Sequence, residues 1–497
     1  MPDLFISREQ ADSDLLAAAA FIAERIKSSD GHAEAMASVV PAYLDRGDVD
    51  LAAELANAIG DPHSRDKLLI KVAEKCAMVD DDDYAVQLAD AIEDHGLRSE
   101  AFERIGFVKA SQGKTAAALE IADMMVHPDI VYSAIAVHQA GNGDDAGLDD
   151  TLNRIEFPSA MTSALQSIAD AHIDSGNTEK AVNVLERAAM SADEIEHDEE
   201  KIRVLCDIGN HLVDAGRKDL AIGIYEKARS EAELLDNVHR DVLLVTCSIG
   251  FLHGGEEELA DETLDLISDK TQMASALLVF ARNSWRKEEK EDAIDTLEEA
   301  LAILDSQKES EIRDSRARNA LLGAIAVQFA VFEKNDRAVE IAQLNPDEKE
   351  QWSTLSQIAQ VLTLHKNDEA ARDTLALIDE DFEKVNALLM MSDAKHRLDE
   401  GDAAVAMLDE AASWAETIPQ FVARSSAMID ILSRYAAHGR NEKVRQLGLA
   451  NLEHIAEIRD ESSQATAVAS LAEVYSKAGL QIEEQEKLAL SKLLTKF

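Results

Sequence analysis

The sequence predicts an all-α protein, an α-solenoid of about a dozen stacked antiparallel helix pairs. A unit recurs along the 497 residues: one amphipathic helical pattern, a turn that often contains glycine, and a second helical pattern. The composition combines 46% apolar residues with 29% charged residues. A chain this apolar and this long buries a large core, which excludes an intrinsically disordered acidic chain.

The clearest copies of the unit lie in the middle of the chain. Residues 207–233 read DIGNHLVDAGRKDLAIGIYEKARSEAE, with the turn at Gly216, and residues 168–189 read IADAHIDSGNTEKAVNVLERAA, with the turn at Gly176. A turn glycine lets a helix end in the left-handed conformation without a steric cost. Apolar residues at i, i+4 and i+7 then form a stripe that each helix pair must bury against the next pair.

Extending this register gives thirteen turn markers, and the spacing from one marker to the next equals 33 in six of the twelve intervals. The position five residues past the marker is Ala in ten of the thirteen copies, which leaves little side chain where two helices pack. The spacings of 39 to 45 predict lengthened helices or loops. The markers are Gly47, Asp80, Gly113, Gly143, Gly176, Gly216, Gly255, Glu288, Glu333, Lys366, Asp399, Gly439 and Gly479.

The pattern Gly-x₄-Ala-x₃-(Tyr/Leu)-x₂-Ala resembles the tetratricopeptide repeat. The second half of that repeat reads much like LAIGIYEKAR at 220–229, and Ile208-Gly209 matches the Leu-Gly pair of its first helix. The resemblance covers nearly the whole chain and is strongest in residues 160–230, while the first-helix Trp is missing and the closing Pro is usually absent. It implies a right-handed superhelix whose first helices line a concave face that binds protein segments.

The organisation predicted from these patterns is one solenoid over residues 1–497. The charged stretch 305–318 is a candidate division into 1–304 and 319–497. The apolar run Leu15 to Ala23 follows acidic residues instead of the basic ones of a secretory signal, so it predicts an ordinary helix. The last eighteen residues predict a terminal helix, and residues 141–150 predict a flexible loop. No stretch reaches the ~18 apolar residues that span a membrane, so we expect a soluble, cytoplasmic protein without membrane insertion.

The charge is strongly acidic and evenly spread. The sequence contains 97 Asp and Glu against 49 Lys and Arg, a net charge of −48. No third of the chain is basic, so we expect no nucleic-acid partner. The acidity has two interpretations: a repulsive, solvated surface that keeps the molecule soluble, or attraction for a basic partner.

The motifs of catalysis and of metal binding are incomplete in this sequence. The three cysteines and fourteen histidines are scattered. Gly113-Lys114-Thr115 is only the tail of a nucleotide-binding loop, and the acidic segment near Asp144 has Asn153 where an EF-hand needs its bidentate Glu. The sequence therefore predicts no cofactor, no metal, no catalytic residue and no enzyme.

The resemblance implies candidate groove residues on the first helices. The family's carboxylate clamp is not expected: Asn210 sits at one clamp position, but Cys206 occupies the place of the preceding Lys, and Val242 and Thr246 occupy those of its partners. The lining is polar to acidic and predicts a scaffold or adaptor whose partner is a basic or polar protein segment. Two alternatives stay open: a structural protein that self-associates into oligomers, rings or filaments, and an enzyme that uses the solenoid as a cage. The candidates are Glu34, Glu100, Glu103, Gln166, Asp170, Arg203, Asn210, Gln360, Asn386, Asp393, Ser433 and Glu473.

Overall fold

Helices joined by short turns account for most of the chain. The computed structural model describes residues 4–305 and 315–497; 78% of the chain is helical, and the described residues contain no β-strand. This confirms the predicted all-α fold of stacked helix pairs. The residues form two compact units, one of 1–101 with 333–497 and one of 102–332. The division proposed near 305–318 falls mainly on residues 306–314, outside the described residues, and stays a prediction.

The first unit contains the two ends of the chain. Its helices are α1 (Arg8–Ala11), α2 (Leu15–Ala23), α3 (Ser29–Arg46), α4 (Val49–Asn57), α5 (Pro62–Met78), α6 (Asp82–Ala91), α20 (Asn335–Gln343), α21 (Glu348–Leu364), α22 (Asp368–Leu375), α23 (Asp381–Arg397), α24 (Gly401–Ala415), α25 (Phe421–Ala437), α26 (Asn441–Glu457), α27 (Glu461–Lys477) and α28 (Glu484–Leu494).

The second unit contains the middle of the chain, and its first boundary falls inside α7. Its helices are α7 (His95–Ser111), α8 (Thr115–Ala122), α9 (Asp129–Asn142), α10 (Asp145–Leu152), α11 (Pro158–Asp174), α12 (Thr178–Ala192), α13 (Asp198–Asp214), α14 (Lys218–Glu233), α15 (Arg240–Gly254), α16 (Glu257–Leu264), α17 (Lys270–Arg286), α18 (Lys290–Asp305) and α19 (Ser315–Val331).

Each of the thirteen turn markers is the hinge between two consecutive helices, from α3 and α4 to α27 and α28. Every marker has a left-handed φ, between +59° and +90°, and no other residue of the described ranges has one. Where Gly is missing, Asp80, Glu288, Glu333, Lys366 and Asp399 adopt this conformation instead. The ten marker-plus-five alanines all have a relative exposure of 0%, as expected for small residues at a close helix contact.

The lengthened intervals come from the second helix of the pair. Second helices within an interval of 33 are short, as in α4, α6 and α10 with 9, 10 and 8 residues. Those within the longer intervals, such as α12, α14 and α26, have 15, 16 and 17 residues. First helices do not follow this difference, since α5 and α13 each have 17 residues.

The prediction of a flexible loop at residues 141–150 is wrong. Gly143 caps α9 in the left-handed conformation. Asp144 follows at once and accepts a hydrogen bond from the backbone of Gly147 at the start of α10. The glycines and acidic residues of this segment therefore end one helix and begin the next.

The ends of the chain pack on each other in the first unit. All nine residues of α2 are buried, which fits a helix that is apolar on every side. It packs against α3, α27 and α28. Beside α27 it occupies the position that, in other repeats, the second helix occupies beside the first helix of its pair. We call the contact of α2 and α3 with α27 and α28 the terminal seam. The helices predicted at both ends are confirmed.

No helix among the described residues is both long and apolar enough to cross a membrane.

Candidate functional site

The candidate site is a cavity on the first-helix face of the second unit. It has a volume of about 700 Å³, within the range of ordinary binding sites, and lies among α7, α9 and α11. Phe107 of α7 and Ile130 of α9 are 55% and 52% exposed, although both are large apolar residues. The other apolar residues of the lining are Ala134, Val137, Ala160 and Ala164.

The repeat register places these side chains on one face. Phe107 and Val137 each lie six residues before their turn marker, and Ile130 and Ser163 each lie thirteen residues before theirs. Equivalent positions on successive first helices lie side by side, so the apolar residues of α7 and α9 build a continuous surface next to Ser163 of α11. The sequence prediction of a polar to acidic lining is therefore incomplete, because it passed over apolar residues at the same repeat positions.

Two of the serines in the cavity donate a hydrogen bond from their hydroxyl to a carbonyl oxygen of their own helix. Ser133 donates to the carbonyl oxygen of Asp129 at 2.7 Å, and Ser111 donates to that of Val108 at 2.9 Å. A hydroxyl that back-bonds in this way exposes mainly its carbon atoms to a ligand. Apart from His138 of α9, the walls contributed by α7 and α9 are therefore apolar in practice.

Two predicted groove residues of the second unit make polar contacts with neighbouring helices. Asp170 of α11 accepts a contact of 2.7 Å from Nδ1 of His211 on α13. Asn210 accepts from the Tyr225 hydroxyl at 2.8 Å, and its Oδ1 lies 3.3 Å from Nδ1 of His253. Asn210 is thus held by the helices around it, and Asp170 keeps a side chain that is 53% exposed.

Four predicted residues of the first unit have partners within the protein. Asp393 accepts two hydrogen bonds from Arg434, both at 2.9 Å, so its carboxylate is paired. The other partners are Glu383 for Asn386 at 3.3 Å, Lys477 for Glu473 at 2.6 Å and Ser462 for Glu34 at 2.8 Å. Their role in binding stays a prediction.

The remaining candidates are spread over both units, and the structure does not gather the twelve into one site. Glu100 and Glu103 are half-buried on α7, and Gln166, Gln360 and Ser433 are half-buried on α11, α21 and α25, whereas Arg203 is exposed on α13. The lining of the cavity includes none of the twelve. Only Glu473 lines another of the cavities described, one of about 520 Å³ at the terminal seam.

The absence of a carboxylate clamp has a structural cause in the part of the chain described. Cys206 is fully buried, and its Sγ lies 3.6 Å from Sγ of the equally buried Cys247. The position therefore faces the core, where no long basic side chain would reach a ligand. Among the described residues no group of three or more His, Cys, Asp or Glu is arranged to hold a metal ion.

Sequence comparison agrees with this architecture. Residues 162–193, which lie mostly on α11 and α12, match the family described as tetratricopeptide repeat. The chain is a tetratricopeptide-like helical repeat protein. No curated protein sequence matches it significantly.

Several solved structures match the chain at low identity. Ton1535 from Thermococcus onnurineus NA1 is 17% identical, with 72% of this chain and 98% of that one covered, at a TM-score of 0.26. Aspartyl phosphate phosphatase F from Bacillus subtilis is 12% identical, with 78% of this chain and 94% of that one covered, at a TM-score of 0.29. Human IFIT1 is 12% identical, with 76% of this chain and 97% of that one covered, at a TM-score of 0.26. At these TM-scores the likenesses carry no argument about function.

The tetratricopeptide-like pair α13 and α14 explains the Ile208-Gly209 match. A Cβ atom built on Gly209 would lie 2.3 Å from the Tyr225 ring, and one on Gly250 of α15 would lie 2.6 Å from it. The ring is fully buried between these two glycines and packs edge-on against Phe251 at 5.6 Å between centroids. The small residue on the first helix therefore makes room for the aromatic residue of the second.

The formal charges on α9, α11 and the second half of α13 are negative, whereas the basic residues of the cavity helices lie on α7. The helices α9 and α11 contain no Lys or Arg, and α11 ends with Asp170 and Asp174 on the side of the cavity stripe. On α13, burial raises the pKa of Asp207, and nearby His211 and Arg203 oppose that rise. Burial and the neighbouring Lys180 lower the pKa of His172, which favours its neutral form. The end of the face toward α13 is thus acidic.

Proposed function

We propose that the protein is a non-catalytic scaffold that binds a protein segment along its first-helix face. The observation that carries this proposal is the apolar cavity among α7, α9 and α11, where Phe107 and Ile130 expose about half of their surfaces. Exposed apolar surface that is concave marks a site of association in proteins of this kind. The tetratricopeptide match at residues 162–193 includes most of α11, one of the three cavity helices, which supports the same face.

The composition of the cavity supports a binding role over a catalytic one. Among the described residues that line it, His138 is the titratable one, and its Nε2 lies 2.7 Å from Nδ2 of Asn142. Acid–base catalysis needs groups with matched pKa values that converge on a reacting atom. A cavity of apolar and hydroxyl side chains suits a bound segment better.

The terminal seam bears on the self-assembly alternative. An open stack of repeats leaves an apolar face at each end, and such faces can join copies end to end. Here α2 covers α27, and Ser38 of α3 donates to the hydroxyl of Thr466 on α27 at 3.3 Å. Since the two ends use these faces within one chain, we expect a monomer by light scattering from low to high salt. Assemblies that grow with salt would favour the structural alternative.

Photo-crosslinking from the cavity tests the scaffold proposal. Phe107, an aromatic residue that lines the cavity and is 55% exposed, is replaced by p-benzoylphenylalanine in the full chain, and Leu234, which is 84% exposed outside it, carries the same probe as a control. In the native cell we expect the Phe107 probe to capture a defined protein that the Leu234 probe does not. The additional change Ile130→Asp should abolish that capture. Identical captures from both positions would contradict binding at this face.

A further inference from the structure

We infer that the cavity receives one side of an amphipathic helical segment with apolar side chains against Phe107 and Ile130. The same segment carries Lys or Arg at the end that lies beside Asp170. This inference rests on the proposed function and specifies the chemistry of the bound segment.

The wall formed by α11 allows a close approach of the segment's backbone. Its cavity residues are Ser159, Ala160, Ser163, Ala164 and Ser167, all small and spaced along one side of the helix. Small residues at this spacing let two helices approach closely. The hydroxyls of Ser159, Ser163 and Ser167 make no hydrogen bond with another described residue, so they can face the backbone of a bound segment.

The opposite wall is suited to apolar anchors. Phe107, Ile130 and Val137 come from two adjacent helices and border the same space of about 700 Å³. Apolar residues at i, i+3 or i+4 and i+7 of a helix lie on one side, and burying them against this wall stabilises the complex. A purely polar extended segment would leave this wall exposed to water.

The charge of the far end gives the segment its direction. Successive first helices run parallel, so the C-terminal ends of α9 and α11 meet at one side, where the helix dipoles are negative. Asp170 and Asp174 continue the α11 stripe at that side, and the second half of α13 adds Asp207 and Asp214 without any Lys or Arg. Basic side chains are favoured there, and acidic ones are repelled.

The test measures binding of synthetic peptides to the full chain by fluorescence anisotropy. The first probe is an 18-residue amphipathic helix of about five turns with a leucine stripe and three lysines at one end. The second replaces the lysines with glutamates, and the third replaces the leucines with serines. Chain variants are Ile130→Asp and Ser163→Trp, which charge or fill the cavity, and Asp170→Asn. Their matched controls are Leu234→Asp and Glu194→Gln, exposed residues outside the cavity.

We expect the leucine–lysine peptide to bind best and to lose at least about tenfold in affinity with either cavity variant. Asp170→Asn should weaken it by about two- to fivefold and reduce its dependence on salt, because one screened attraction is removed. Both controls should bind like the wild type. Unchanged melting temperatures will show that the variants fold.

Two outcomes would overturn the inference in different ways. Equal affinity for the lysine and glutamate peptides would leave an apolar groove that binds segments, so the scaffold proposal would stand and the basic end would be wrong. Tightest binding of the leucine-free peptide would show that an extended basic segment is the ligand. If no peptide binds while the Phe107 probe still captures a protein in cells, the helical chemistry is wrong although the face is right.

Discussion

Arg8 donates from its guanidinium to the carbonyl oxygen of Leu494 at 2.9 Å and to that of Ser491 at 2.8 Å. These carbonyls belong to the last turn of α28, where a helix has no donors of its own. A cation at a helix C-terminus also interacts favourably with the dipole. One side chain of α1 thus caps the final helix across 486 positions of sequence.

We expect Arg8→Ala to lower the free energy of unfolding by about 1–2 kcal/mol, since charge-assisted hydrogen bonds to backbone carbonyls are lost at a partly exposed site. Urea unfolding at fixed salt measures this. Arg217→Ala removes the same charge from an exposed pair with nearby Asp219 and should leave stability unchanged. Equal effects of the two variants would mean that the cap at α28 contributes nothing specific.

The seam can be locked by a disulfide. The hydroxyl oxygens of Ser38 and Thr466 lie 3.3 Å apart, so the double variant Ser38→Cys, Thr466→Cys should form an intramolecular bond under oxidising conditions. The product should migrate faster on a non-reducing gel and gain on the order of 2–4 kcal/mol in stability, because a long loop is closed in the unfolded chain. A covalent dimer would instead show that copies exchange their ends. Ser38→Cys alone is the control.

The glycine that accommodates Tyr225 can be tested by substitution. Gly209→Ala places a methyl group against the buried ring, where the built Cβ lies 2.3 Å from a ring carbon, and should cost about 1–3 kcal/mol. Gly223→Ala lies in the neighbouring α14 with nothing within 4 Å and should stabilise by up to about 1 kcal/mol, because Ala favours the helix. Differential scanning calorimetry compares the two. A neutral Gly209→Ala would refute the packing explanation.

The hinges and the cavity differ in how far the sequence predicts them. The spacing of the repeat locates the hinges even at Glu333 and Lys366, because it does not depend on the residue type at the turn. The sequence prediction of site residues does not include Phe107 and Ile130, because it selected polar and charged residues at the groove positions. Their signal is an apolar residue at a lining position outside the buried stripe.

The terminal seam could not be predicted from the sequence, and the reason is physical. Repeats report contacts between neighbouring units, since each helix pair buries its stripe on the next one. Nothing in the apolar run Leu15–Ala23 identifies Glu461–Lys477 as its partner more than 430 positions away. The hydrophobic effect is non-directional, so an apolar helix does not specify which apolar surface covers it. Any amphipathic helix of suitable length would satisfy the same pattern.

The non-glycine hinges give a prediction about backbone strain. Glu333 has φ +60°, which costs a residue with a side chain about 1 kcal/mol relative to glycine. Glu333→Gly should therefore stabilise the protein by about that amount. Gly176→Ala, at φ +74° with open space around it, should destabilise by about 1–2 kcal/mol from the backbone alone. Opposite signs in urea unfolding are expected, and equal signs would show that packing, not φ, controls these turns.

The three thiols should be nearly unreactive in the folded protein. Cys76, Cys206 and Cys247 are all free and buried. Burial, together with Asp81 and Asp50, raises the pKa of Cys76 to about 11. Contact with Cys247, together with burial, raises that of Cys206. A raised thiol pKa means less thiolate at a given pH, so the folded chain should react very slowly with a disulfide reagent at pH 8.

The pH dependence identifies the reacting state. If reaction requires local opening, the exposed thiol has its ordinary pKa of about 8.5, and the rate should rise with pH and level off above that value. If the folded state reacted directly, the rate of Cys76 would keep rising toward pH 11. We expect the levelling, and three thiols should react at once in concentrated urea. A thiol consumed within seconds at pH 8 without denaturant would show that one of the three sites is open in the folded protein.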